Sequence, residues 1–432
     1  MKKLTLLIVL VFIIQATASS QPCLPEGIIF NYQSQIDNFQ TNYPNCTEIE
    51  GDVEIYGNTI SNLNGLNVLT SIGGSLLIGR YMGSSPAFTS LSGLDNVTSI
   101  GGDLWIRNNI ALTSLTSLDN LTSVEGDLII EKNSVLTSLT GLDNVTDVGG
   151  CLQIKYSALT SLIGLNNVTS IGGVLEIYHC DGLTNLTGMD NVTSIVGGIE
   201  IYDNDALTSL TGLDNLTSLE GGFIIERNSV LTSLTGLNSL TSIGGDFEIH
   251  ANYALTSLTG LDNVISIGGF LRFDYNPLLI NITGLDNLTS IGGDLDIYNN
   301  DTLISLTGLE NVTTIGGTLD IYYNNALTSL TGIENVTSIG GNLSIVNDIV
   351  LTSLSGIDNI DAASITNLSI AHNNSLSTCE VQSICNYLSS LVALNNLTSI
   401  GGHISINNND ALVSLTGLDN IYAGSINNIH NI

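Results

Sequence analysis

One apolar position recurs along this chain at almost fixed intervals, and that period restricts the fold more than any other feature. The series Ile106, Ile130, Ile154, Ile177, Ile201, Ile225, Ile249, Phe273, Ile297, Ile321 and Ile345 is spaced by 24 residues with a single 23. It continues less regularly to Ile55 and Ile78 before it and to Ile370 and Ile406 after it. A fixed period in this range is the signature of a solenoid, whose repeats stack because none can bury its apolar face alone. Two residues before the marker lies a second apolar side chain, as at Leu104, Leu128, Phe223, Phe247 and Leu319. Apolar residues at i and i+2 read as a strand. Each repeat thus supplies one short strand, and successive repeats align into a long parallel sheet.

The remainder, "LTSLTGLDNVTSIGG" and its variants, spaces its large apolar residues by three. That pattern suits turns and short extended pieces rather than an amphipathic helix. The recurring Gly-Gly pair is expected to supply unusual backbone angles at a corner. Three residues after the marker an asparagine recurs, as at Asn109, Asn133, Asn204, Asn228 and Asn252, and is expected to point inward and satisfy turn amides and carbonyls. Ser157, Cys180 and Asp348 replace it in their repeats. The expected fold is an all-β solenoid, a parallel β-helix of about 16 coils of about 24 residues.

The ends differ from the repeat. Residues 1–18 read as a signal peptide, with Lys2 and Lys3, an apolar run from Leu4 to Ile14, and Ala16-Thr17-Ala18 as cleavage site. Residues 19–50 form an N-terminal cap, with a short helix expected in "QSQIDNFQ" and a Cys23–Cys46 disulfide stapling it to the first coil. The solenoid proper spans 51–370, a helical cap-like insertion 371–394, and further coils 395–432. Cys379 and Cys385 lie six residues apart across that inserted helix, too far to pair readily in regular geometry. "GLDNIYAGSINNIHNI" at the end repeats the pattern of "GIDNIDAASITNLSI" before the insertion, so a C-terminal truncation is expected.

Charge limits the partners. Lys plus Arg number 8 against 40 Asp plus Glu, for a net charge of −32. A nucleic acid requires a basic footprint, so it is excluded, and an anionic membrane surface is disfavoured. Cationic surfaces are permitted. The five histidines are isolated and none has metal-ligand spacing, so neither metal nor cofactor is expected. No nucleophile–base pair stands out, and the chain is read as non-catalytic. A secreted or cell-surface location follows from the signal peptide and the lack of any later apolar span.

Candidate binding residues flank the marker on the outward side of the strand. They are Trp105, Glu176, Tyr178, Glu200, Tyr202, Asp296, Tyr298, Asp320 and Tyr322. Carboxylates beside aromatic rings bind sugars or cationic protein surfaces, and the same rows also suit a plain solvated sheet face. A second acidic row (Asp95, Asp119, Asp143, Asp190, Asp214, Asp262, Asp286, Glu310, Glu334) fits either turn capping or calcium bridging. Threonine rows such as Thr113, Thr137, Thr208, Thr232 and Thr256 raise ice binding as an alternative, though "LTSLT" lacks a regular Thr-x-Thr face. A polysaccharide-cleaving β-helix enzyme is a further alternative, requiring a cluster that breaks the repeat. Asn-Val-Thr and Asn-Leu-Thr triplets match the glycosylation pattern but fall at one repeat position.

The coils of the type "LTSLTGLDNVTSIGGDLEIYNN", the opening "CLPEGIIF…NYPNCTEIEGDVEI" and the segment "CEVQSICNYL" resemble bacterial secreted receptor L-domain-like or leucine-rich-like repeat proteins. The resemblance covers about residues 23–432. It implies a right-handed parallel β-solenoid and an extracellular or cell-surface binding or adhesion role toward a protein or glycan. It names no ligand.

Overall fold

In the computed structural model the described residues are 22–80, 87–376 and 403–409. Each repeat contributes two strands. A two-residue strand such as Ser194–Ile195 is followed by a corner and then a longer strand such as Gly198–Tyr202. The short strands pair into a 14-stranded sheet and the long strands into a 16-stranded sheet, both in chain order. All neighbours are parallel, and the marker residues face one another: Ile154, Ile177 and Ile201 are aligned across three strands. The third side of the coil carries "LTSLTGLDN" and is built of turns, with 3-10 turns at Asn64–Leu66 and Thr116–Leu118.

The alternation dictates the core. Ile199, Ile201, Leu207, Leu210, Leu213, Leu216 and Leu219 of one coil are all buried, each stacked on its equivalent in the next coil. The spacing of three on the third side turns successive leucines inward at each bend. The coil therefore closes around a continuous apolar column. The result is the expected all-β parallel solenoid, but the coil count is lower. Among the described residues about 14 coils carry both strands, against the about sixteen expected. The cause is local: after Ser338–Ile339 the next short strand is replaced by a 3-10 turn at Ala362–Ser364, so the long sheet outlasts the short one. The signal peptide, Cys379, Cys385, most of the helical insertion and the final partial coil lie outside the described residues.

The asparagine ladder runs up the turn after the long strand. The Asn228 Oδ1 accepts the Asn204 backbone N–H at 3.2 Å, and its Nδ2 donates to the Ile201 carbonyl at 3.0 Å and to the Glu226 carbonyl at 3.1 Å. Asn252, Asn276, Asn300 and Asn324 repeat the arrangement. The residue just before each ladder position takes a left-handed backbone without being glycine, as at Asp203, Arg227 and Ala251, with φ between 51 and 53°. Such a conformation costs about 1–2 kcal/mol per residue in isolation, and the ladder bonds on its C-terminal side hold it in place.

The glycines play different roles from those expected. The positive φ belongs to the glycine of "LTGL", as at Gly236 (φ 114°), where a Cβ would collide with the Leu210 carbonyl. The first glycine of the Gly-Gly pair does not generally need that region. At Gly244 the constraint is proximity, because a Cβ would collide with the Glu220 carbonyl one coil earlier. The N-terminal end is closed by two short helices, Gln33–Asp37 and Phe39–Asn42, in place of the single helix expected. Ile36 and Phe39 are fully buried beneath them, with Phe39 edge-on to Phe30 at 5.9 Å. Cys23 and Cys46 are disulfide-bonded, with their Cα atoms 5.7 Å apart.

Candidate functional site

Outward residues of the long sheet form two columns one residue either side of the marker. The first runs Trp105, Ile129, Gln153, Glu176, Glu200, Ile224, Glu248, Arg272, Asp296, Asp320. The second runs Lys155, Tyr178, Tyr202, Glu226, His250, Asp274, Tyr298, Tyr322. Strand register alone brings these side chains into rows, because a parallel in-register stack places each residue on its counterpart.

Two aromatic–acidic clusters result. In the first, Tyr178 and Tyr202 meet edge-to-face at 6.4 Å, Glu176 pairs with Lys155 at 2.7 Å, and Asp203 is gripped by Arg227 at 2.7 Å. That bond to Arg227 holds the Asp203 carboxyl below its ordinary range. Arg227 also pairs with Glu226. In the second cluster, the Tyr298 and Tyr322 rings stack in parallel, 4.6 Å apart with 5° between their planes. Asp296 and Asp320 lie side by side, two residues earlier on the same strands. Arg272 reaches Asp296 at 2.8 Å and Glu248 at 3.7 Å, and His250 Nδ1 meets Asp274 at 2.9 Å. Burial, then repulsion from Asp296, pushes the Asp320 carboxyl up to about 6. Burial likewise raises Tyr298 and Tyr202, which keeps both phenols neutral donors. Four strand steps separate Tyr202 from Tyr298, about 19 Å at the usual strand spacing.

Eight of the nine candidate residues fall in these clusters, and Trp105 does not. It sits in an apolar strip between Leu77 and Ile129, with the Arg107 guanidinium 4.0 Å over its ring. Asp296 is on the outward side yet only 8% exposed, because Arg272 and its neighbours cover it. Sequence reasoning missed Arg272 and Asp274 as parts of the second cluster. The signal was available, since both flank Phe273, the one marker that is not isoleucine between Ile106 and Ile345.

The other rows are occupied by the backbone. Eight of the nine carboxylates of the second acidic row, all but Asp119, accept the N–H two residues before them, as Asp214 from Gly212 at 2.9 Å and Glu310 from Gly308 at 2.8 Å. These bonds close the turn and account for the row by capping. The glycosylation-type asparagines donate Nδ2 to the previous coil, as Asn215 to the Asp190 carbonyl at 2.6 Å. Thr113, Thr208 and Thr256 donate their hydroxyls to the carbonyls of Thr89, Thr184 and Thr232. A threonine row already bonded to its own backbone is poorly free to order ice. Cys180 is a buried ladder member whose Sγ donates to the Ile154 carbonyl, and burial pushes its thiol up to about 12. Such a thiol is unreactive at neutral pH. Among the described residues no three His, Cys, Asp or Glu are grouped to hold a metal, and no helix is long and apolar enough to cross a membrane.

A coil that buries leucines around a sheet of short parallel strands, with an asparagine ladder at the turn, defines a leucine-rich type of solenoid. Two family models match parts of the chain: residues 45–140 match the receptor L domain, and residues 225–350 match the BspA type leucine rich repeat region in six copies. No curated protein matches it. Among solved structures it is similar to TLR13 in its complex with ssRNA13, at 14% identity and TM-score 0.29, covering 84% of this chain and 67% of that one. It is also similar to the functional domain of InlJ from Listeria monocytogenes, at 16% identity and TM-score 0.29, covering 87% of this chain and 76% of that one.

Proposed function

We propose that this protein is a non-catalytic extracellular or cell-surface binding and adhesion scaffold that grips a protein partner through the outward face of its long sheet. The observation that carries the reading is the second cluster. Two parallel-stacked tyrosines stand beside a pair of in-register aspartates on the same strands, with Arg272 alone contributing a fixed positive charge among them. Tyrosine supplies large, rigid, amphipathic contact area at low entropic cost and is enriched at protein interfaces. The unbalanced carboxylates favour a partner with lysine or arginine at the matching spacing, and the net charge of −32 steers it in. The same charge argues against nucleic acid. The regular fold contributes rigidity: two clusters about 19 Å apart on one sheet keep their separation without ordering cost.

The test is an array of extracellular proteins and glycans probed with the exported chain at two ionic strengths. Basic proteins are expected among the binders, with affinity falling at least about tenfold between 50 and 500 mM salt because steering and rim pairs are screened. Binders that are acidic or uncharged, or insensitive to salt, would defeat this reading.

A further inference from the structure

The coil between Ile154 and Ile177 is one residue short, and the missing residue falls in the turn. Leu159 follows its marker by five residues, whereas Leu136 and Leu183 follow theirs by six. The neighbouring coils keep full-length turns, so the short one leaves a notch between them. A shallow, open depression of about 440 Å³ lies there, lined by Ser134, Tyr156, Ser157, Ala158, His179 and Asp181.

We propose that this notch is a second binding site, beside the first sheet-face cluster and sharing only Tyr178 with it, and that its ligand is a neutral saccharide. The chemistry of the lining selects the class. The Tyr156 and His179 rings stack at 5.1 Å and 26°, and Tyr178 braces both, at 5.0 Å from Tyr156 and 4.3 Å from His179. Tyr156 is 41% exposed, so the part of its ring that His179 and Lys132 leave uncovered is open at the notch. A sugar ring offers an apolar C–H face to such a surface and hydroxyls at its rim. Asp181 supplies carboxylate acceptors for those hydroxyls, and Ser134 and Ser157 supply hydroxyl groups that donate or accept. The Ser157 Oγ accepts the Leu159 N–H at 3.2 Å, which leaves its own hydrogen available to donate.

Charged ligands fit less well. The Lys132 ammonium lies 5.1 Å from the centre of the Tyr156 ring, and its charge repels a cationic ligand at the notch. An anion would meet Asp181 and the field of a chain carrying −32 charges. An uncharged, hydroxyl-rich ring avoids both conflicts.

Isothermal titration of the full chain with cellotetraose, maltotetraose and chitotetraose tests the proposal, alongside three variants whose fold is checked by circular dichroism. Tyr156→Ala removes the platform. Insertion of one asparagine between Ser157 and Ala158 restores the 24-residue period and fills the notch. The double variant Tyr298→Ala/Tyr322→Ala disturbs only the sheet face. At least one tetrasaccharide is expected to bind, both notch variants to weaken it by about tenfold or more, and the sheet-face variant to leave it within about twofold. The proposal is overturned if none of the three sugars binds, if the insertion variant binds like the parent, or if the sheet-face variant alone loses binding. Binding of tetralysine at the notch in place of the sugars, lost on Tyr156→Ala, would overturn it equally.

Discussion

Asp348→Asn is expected to stabilise the rod by roughly 4 kcal/mol at pH 8 and to gain little at pH 4. Asp348 stands in the asparagine ladder, wholly buried. Its Oδ1 does what a ladder asparagine does, accepting the Asn324 N–H at 2.8 Å and the Asn324 Nδ2 at 3.2 Å. Its Oδ2 has no hydrogen-bond partner. Elsewhere the second amide atom donates to a carbonyl 27 residues earlier, as Asn324 does to Ile297. The same step from Asp348 leads to Ile321, and only a protonated carboxyl can donate to it. Burial accordingly pushes Asp348 up to about 7 from an ordinary value of 3.8. A raised acid leaves stability intact while both folded and unfolded chains are protonated. Stability then falls as pH rises from about 4 to about 7, because the unfolded chain loses its proton first, and levels off above that. Asparagine carries its donor at every pH. The difference between variant and parent in urea unfolding, taken from pH 4 to 8, isolates this group from the many surface carboxylates. A flat difference would mean that Asp348 ionises normally.

Asn228→Ala is expected to cost roughly 2–5 kcal/mol, with an effect that spreads to the coils on either side. The side chain is fully buried and is the partner of the Asn204 N–H, which would be orphaned, and a donor to the Ile201 carbonyl. A buried unpaired backbone group costs about 1–3 kcal/mol. Hydrogen exchange is the informative readout. Faster exchange at the amides of Asn204 and of the adjoining turns is expected, with the ends of the rod unchanged. Uniform loss of protection would mean that the coils unfold as one unit and that the ladder carries no local share.

The fold was legible because it rests on one rule applied many times. Inward Ile201 and Leu207, the ladder asparagines and the parallel register all follow from a period that can be counted. Exceptions were harder to read. The glycine of "LTGL" needs its positive φ because the preceding coil's carbonyl lies against it, a contact between residues 26 apart such as Gly236 and Leu210. Among the described residues the short sheet ends where Ala362–Ser364 forms a 3-10 turn in place of the two-residue strand of the earlier coils. The rows of candidate residues could be placed on the sheet from alternation alone. Which of them cluster depended on side-chain reach across strands: Arg272 bends over Asp296, and Arg107 folds back on Trp105. The notch beside Tyr156 was visible only as a single 23 among the 24s, whose consequence is spatial, a gap between full-length turns.

The most direct measurement of the central claim compares the parent with the quadruple variant Tyr178→Ala/Tyr202→Ala/Tyr298→Ala/Tyr322→Ala, using the strongest basic protein from the array as ligand. All four tyrosines sit on the outward side, one residue beyond fully buried isoleucines. Their removal is expected to weaken binding by about a hundredfold, as for aromatic hot spots worth about 2–4 kcal/mol together, while the unfolding midpoint moves by only a few degrees. Unchanged affinity in a variant that still folds would contradict the account and leave the long sheet a solvated wall of the solenoid.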